Sequence, residues 1–163
     1  MMDDRLVNAG VREGHADDPD DEFVGTLTVP WFGNDVDVQV IFRLDDDCSE
    51  PTDKQIDAFC QLLPPNNSCF ADLPNALLQH YNTAREESPL DEETIEQLFP
   101  CISGVSDLDR MIDLRGILVW YYSDDWSSYI GILAECSWEE EHGLGIKIVD
   151  SIPTKIGNQD IVI

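Results

Sequence analysis

Two apolar runs in the last third of the chain limit its fold more than any other feature. Residues 114–122 (LRGILVWYY) and 129–138 (YIGILAECSW) flank the polar turn Ser123-Asp124-Asp125-Trp126-Ser127. Apolar runs bounded by turn residues read as β-strands. In the second run Ile130, Ile132, Ala134, Cys136 and Trp138 share one face. Residues 144–149 (LGIKIV) supply a third strand, with a turn at Asp150-Ser151, and 155–163 a short last strand ending Ile161-Val162-Ile163.

The first part of the chain repeats the β signal. Residues 23–29 alternate, Pro30-Trp31-Phe32-Gly33-Asn34 makes a turn, and 35–42 alternate again. Val36, Val38 and Val40 point one way and Asp35, Asp37 and Gln39 the other, which predicts an antiparallel hairpin with one wet face. The middle is helical. Thr52 and Gln55 form a capping box ahead of Ile56, Phe59, Cys60 and Leu63, which recur at helical spacing. Phe70, Leu73, Leu77 and Tyr81 follow on one stripe despite Pro74, and 91–98 (DEETIEQL) begin a short acidic helix. Residues 101–112 read as a loop and a helical turn. The order strands, helices, strands predicts one α+β domain over residues 22–163, a mainly antiparallel sheet with two to four helices packed on it. Residues 1–21 carry seven acidic residues against Arg5 and Arg12 with few apolar ones, and are expected to be a mobile or loosely attached acidic segment.

Charge narrows the function. The 163 residues hold 34 Asp+Glu against 9 Lys+Arg, a net charge of −25. Phosphate affinity comes from Lys and Arg, so nucleic acid is an improbable partner, and an anionic membrane surface equally so. A charged partner would be basic. No apolar run reaches 18 residues, and the N-terminus has neither the basic start nor the apolar stretch of a signal peptide, so a cytoplasmic protein is expected. Cys48, Cys60, Cys69, Cys101 and Cys136 contain no CxxC pair and read as free, mostly buried thiols.

Chemistry-bearing residues are densest in Glu135, Trp138, Glu139, Glu140, Glu141, His142 and Gly143. Glu139 and His142 are three apart, but Gly143 and Gly145 follow at once, which predicts a tight strand-to-strand corner. There the His and a carboxylate would bond to backbone, leaving Trp138, Glu141, His142, Gly143 and Gly145 as a structural motif. A metal or general acid–base site would need distant ligands. Asp45-Asp46-Asp47 lacks the EF-hand spacing, and no nucleophile elbow, P-loop or dinucleotide fingerprint occurs. No catalytic, metal or cofactor residue is assigned, and no enzyme is expected.

The run from Tyr129 to Ile132, then Cys136-x-Trp138-x-x-Glu141-His142-Gly143-x-Gly145, then Gly157-x-x-Asp160, resembles a family of small bacterial proteins with a Cys-x-Trp-x-x-Glu-His-Gly-x-Gly core. The likeness extends to the Pro51-Thr52-x-x-Gln55 helix start and the helix ending at Tyr81, so it covers most of residues 23–163. It implies a mixed α/β fold and no mechanism. Small acidic proteins of this kind resemble immunity proteins of bacterial toxin systems, including contact-dependent inhibition. The expectation is therefore a protein that neutralises a basic toxin, a nuclease, by covering it with an acidic surface. Candidate contacts are Asp45, Asp46, Asp47, Glu86, Glu87, Asp91, Glu92, Glu93, Asp124, Asp125 and, as an aromatic anchor, Trp126. The alternatives are a small enzyme or metal-binding protein using the 139–142 loop, or an interaction module unrelated to toxins.

Overall fold

Alternation and helical periodicity each produce the element they predict. A computed structural model describes residues 2–13, 23–63, 69–120 and 129–163. In chain order the elements are α1 (Asp4–Asn8), β1 (Arg12–Glu13), β2 (Phe23–Trp31), β3 (Asn34–Phe42), α2 (Asp53–Gln61), α3 (Cys69–Glu87), α4 (Glu92–Leu98), α5 (Val105–Leu108), β4 (Ile112–Val119), β5 (Tyr129–Cys136), β6 (Leu144–Val149), β7 (Ile152–Gly157) and a 3₁₀ turn, Gln159–Ile161. The strands form one sheet in sequence order, β1 to β7. This is an α+β domain with a mainly antiparallel sheet, as the element order implies.

The hairpin β2–β3 turns at Phe32 and Gly33, both at positive φ (49° and 82°), as a two-residue hairpin turn requires. The one parallel pair, β3 with β4, separates the sheet into two antiparallel blocks. Parallel neighbours need a crossover, and residues 43–111 are that crossover, carrying α2 to α5. Its first helix opens with the expected capping box: the Thr52 side chain accepts from Gln55 N, and Gln55 Oε1 accepts from Thr52 N at 3.0 Å. Gln55 is fully buried. Its Nε2 donates to Arg43 O at 2.8 Å and Val119 O at 3.2 Å, tying the helix start to the ends of both parallel strands. One side chain thus satisfies a helix end and two buried carbonyls.

The helices cover one face of the sheet. Val38, Val40 and Phe42 of β3, Ile117 and Val119 of β4, Ile130 and Ile132 of β5, and Ile146 and Ile148 of β6 meet Phe59, Leu62, Leu73, Leu77 and Tyr81 in the core. The stripe Phe70, Leu73, Leu77 and Tyr81 is buried as its spacing predicts, and α3 runs through Pro74. Ile41, Leu118 and Val162 are buried outside this core. They occupy the opposite face, since side chains alternate along a strand.

Two expectations are corrected. Residues 2–13 are not a loose tail: Leu6 and Val11 are 0% and 3% exposed. The Arg5 guanidinium bridges Asp3, Asp53 and Asp57, and β1 pairs with β2. Two apolar side chains at the right distance from the sheet edge outweigh the local charge. Residues 14–22 lie outside the described residues. The last strand is β7, which ends at Gly157; residues 159–161 form a 3₁₀ turn instead of continuing it. The chain leaves the sheet edge there and folds back over the outer face, where Gly131 and Gly145 leave room for Val162.

Among the described residues no helix is long and apolar enough to cross a membrane.

Candidate functional site

The β5–β6 corner is built almost entirely from contacts. Trp138 leaves β5 into the core, its ring 5.0 Å from Tyr81 and 6.3 Å from Phe99 between centroids. Tyr81 donates its hydroxyl to Pro100 O at 2.6 Å. The corner then closes through Glu139: Gly143 N donates to Glu139 O at 3.0 Å, His142 N donates to Glu139 Oε1 at 3.2 Å, and His142 Nδ1 lies 3.3 Å from the same oxygen. Gly143 sits at φ +59°, where a side chain is strained, and a Cβ there would lie 2.8 Å from Ala134 O.

The C-terminal turn locks this corner from outside. Gln159 N donates to His142 O at 3.0 Å, and Gln159 Nε2 donates to Ala134 O at 2.9 Å. A Cβ on Gly145 would lie 2.7 Å from Asn158 O, and one on Gly131 would lie 2.6 Å from Val162 Cβ. Trp120 Nε1 donates to Val162 O at 2.7 Å. Gly143 and Gly145 therefore belong to one packing unit with Gly131, Gln159 and Val162, while Trp138 packs in the core on the other face of the sheet. Burial pushes the Cys136 thiol up to about 11, so it stays protonated at neutral pH. Within the motif, Glu141 is exposed and makes no hydrogen bond among the described residues. Glu139 is the carboxylate that bonds backbone, accepting from His142 N, while the His142 ring faces Glu139 and, among the described residues, not a backbone group. Among the described residues no three His, Cys, Asp or Glu side chains converge on a metal position.

The acidic candidates contrast with this corner. Asp45, Asp46 and Asp47 follow the end of β3 and are exposed; among the described residues their one side-chain bond is local, Asp46 N donating to Asp45 Oδ1 at 2.9 Å. Glu86, Glu87, Asp91, Glu92 and Glu93 surround the α3–α4 connection and are exposed. Only Asp91 has a structural task, capping α4 by accepting from Thr94 N at 3.0 Å and Thr94 Oγ1 at 2.7 Å, bonds that hold its carboxyl below the ordinary range. None of these eight carboxylates pairs with a cation among the described residues. They form two separate sites, one after β3 and one at the far end of α3. Asp124, Asp125 and Trp126 lie outside the described residues.

The expectation of mostly buried thiols needs correction, since Cys48 and Cys101 are exposed and only Cys69 and Cys136 are buried. Both exposed cysteines lie in connections, where no periodic face withdraws them. The sequence reading also missed a cleft of about 630 Å³ where the loop after α5 meets the β4–β5 pair. Asp109, Asp113, Glu135 and Glu140 line it together with Arg110. Arg115 holds Asp113 at 2.9 Å and Glu135 at 2.5 Å. The available clue was that Asp113 and Glu135 face outward on apolar strands; their pairing across β4 and β5 needs the register, which places them directly opposite.

The chain belongs to the DUF6985 family, described as a domain of unknown function, whose sequence model matches residues 13–163. No curated protein and no solved structure matches the chain.

Proposed function

We propose that this chain is an immunity protein, which binds a basic toxin domain and neutralises it by occlusion, without chemistry of its own. The observation that carries the reading is the charge of the crossover. Residues 43–111 hold fifteen Asp and Glu against Arg43, Lys54, Arg85 and Arg110, and its two densest clusters are exposed and unpaired with cations among the described residues. Carboxylates so presented steer a cationic partner, at rates that fall with salt. A nuclease fits that description, because its cleft is positive in order to hold phosphates, and carboxylates can occupy the same positions. A toxin of a contact-dependent inhibition system is the specific candidate. The family membership is neutral on this point, and the resemblance to small acidic immunity proteins supports it.

The test is a pull-down with the tagged chain against the product of the neighbouring gene, at low and high salt. It is paired with growth of cells expressing that product alone or with this chain. A stoichiometric basic partner released by salt, together with rescued growth, is the expected result. Absence of binding in both conditions overturns the reading and directs attention to the 139–142 loop, through metal analysis and a substrate screen of His142→Ala.

A further inference from the structure

On the helical side of the sheet, next to the acidic cleft, lies an apolar groove of about 610 Å³. Its walls are Pro30 and Phe32 at the β2–β3 turn, Phe70, Ala71 and Pro74 on α3, and Val105 on α5. Phe32 is held there at φ 49°, a region that bulky side chains rarely occupy. The hairpin thus keeps a partly buried aromatic ring at its tip, where Asn or Gly would satisfy the turn without strain. Asp109 lines both the groove and the cleft, so the two adjoin at this carboxylate, with Asp113, Glu135 and Glu140 on the cleft side.

We infer that the groove and the cleft together form a docking site for a basic protein partner, seating an apolar side chain between Phe32 and Phe70 and a neighbouring Lys or Arg against Asp109. This rests on the reading of the partner as basic and adds where its anchor sits. Charge complementarity selects the occupant. An apolar groove alone accepts any hydrophobic segment, but this one carries Asp109 on its wall and adjoins a cleft where Asp109, Asp113, Glu135 and Glu140 outnumber Arg110 and the Arg115 that pairs Asp113 and Glu135, so it favours a basic segment over an acidic one. A buried anchor ringed by polar contacts is the usual form of an interface hot spot. The two exposed acidic clusters would draw a partner in while the groove holds it.

The experiment uses the full chain and two synthetic peptides: a ten-residue Lys-Gly repeat, and the same peptide with one central Gly replaced by Phe. Binding is measured by fluorescence anisotropy at low ionic strength. The Phe peptide should bind at least tenfold more tightly. Ala71→Gln and Ser106→Gln fill the groove from opposite walls at exposed positions without changing charge. Each should remove that gain and leave the Lys-Gly peptide unaffected. Asp109→Asn should weaken the Phe peptide more than the Lys-Gly peptide. Equal affinity for both peptides, or a Phe gain that survives both fillings, overturns the groove while leaving the basic-partner reading intact. If neither peptide binds, the basic-partner reading falls and the groove falls with it.

Discussion

The β5–β6 corner and the acidic surface are both dense in polar residues, and they differ in what those residues touch. At the corner, glycines mark close approaches: Gly143 and Gly145 lie against Ala134 O, Asn158 O and Gln159, while Trp138 fills the space beside Tyr81 and Phe99. On the acidic surface, carboxylates project from loops and helix ends into solvent. The comparison teaches that a conspicuous motif can serve packing while the solvent-facing charge lies elsewhere. Gly143 and Gly145 hold the C-terminal turn on the sheet, and the carboxylates that face solvent are those with the least distinctive spacing.

The largest effect should come from emptying the corner. Trp138→Ala removes a buried ring from three-way aromatic packing and should cost about 3–5 kcal/mol, read as a lowered urea midpoint. Next is Gly143→Ala. Its Cβ meets Gln159 and Ala134 O at a φ that favours glycine, so a loss of about 2 kcal/mol is expected, together with release of the C-terminal turn. Hydrogen exchange should report that release at Gln159 and Val162. Unchanged protection there would mean that the turn is held by Val162 and Trp120 alone. The acidic surface should show the opposite pattern. Replacing Asp45, Asp46 and Asp47 by Asn should leave stability intact and slow association with a basic partner by about tenfold at low salt. A rate indifferent to salt in the parent chain would remove electrostatic steering.

Smaller effects sharpen the boundary between the regions. His142→Ala breaks only an exposed pair with Glu139 and should change stability by less than about 0.5 kcal/mol. A larger loss would move His142 into the packing unit. Thiol labelling separates the two environments directly: Cys48 and Cys101 should react with a maleimide in the folded protein, whereas Cys69 and Cys136, both pushed up to about 11 by burial, should wait for unfolding. The smallest effect is in pH. Burial holds the His80 imidazole below its ordinary value, so the folded state binds its proton less readily than the unfolded state. Its contribution is complete above the ordinary His range and is lost as pH falls. His80→Gln should therefore flatten the change of urea midpoint between about pH 7 and 5. The Asp91 carboxyl is also lowered, by its bonds to Thr94. Its contribution is present above the ordinary carboxylate range and disappears only as pH falls through its folded value.

Legibility followed the range of the interaction. The hairpin, the capping box at Thr52 and Gln55, and the stripe from Phe70 to Tyr81 were readable, because each depends on neighbours within a turn of helix or one strand. The corner at Gly143 was readable for the same reason. The roles of Gly131 and Gly145 were not, since they exist only when Val162 and Asn158 return across the sheet. Leu6 and Val11 looked too sparse to anchor a segment so acidic. Gln55 read as a cap, and its reach to Arg43 O and Val119 O depends on two strands sixty-four and twelve residues away.

By itself the sequence determined the α+β class, the positions of most elements, the acidic balance and the tight corner, because periodicity, capping and net charge are local or additive properties. Tertiary structure alone decided the parallel β3–β4 contact, the C-terminal turn laid over Gly131 and Gly145, and the meeting of an apolar groove with an acidic cleft at Asp109. Each of these joins residues distant in sequence, and their pairing is chosen by the packing of the whole chain.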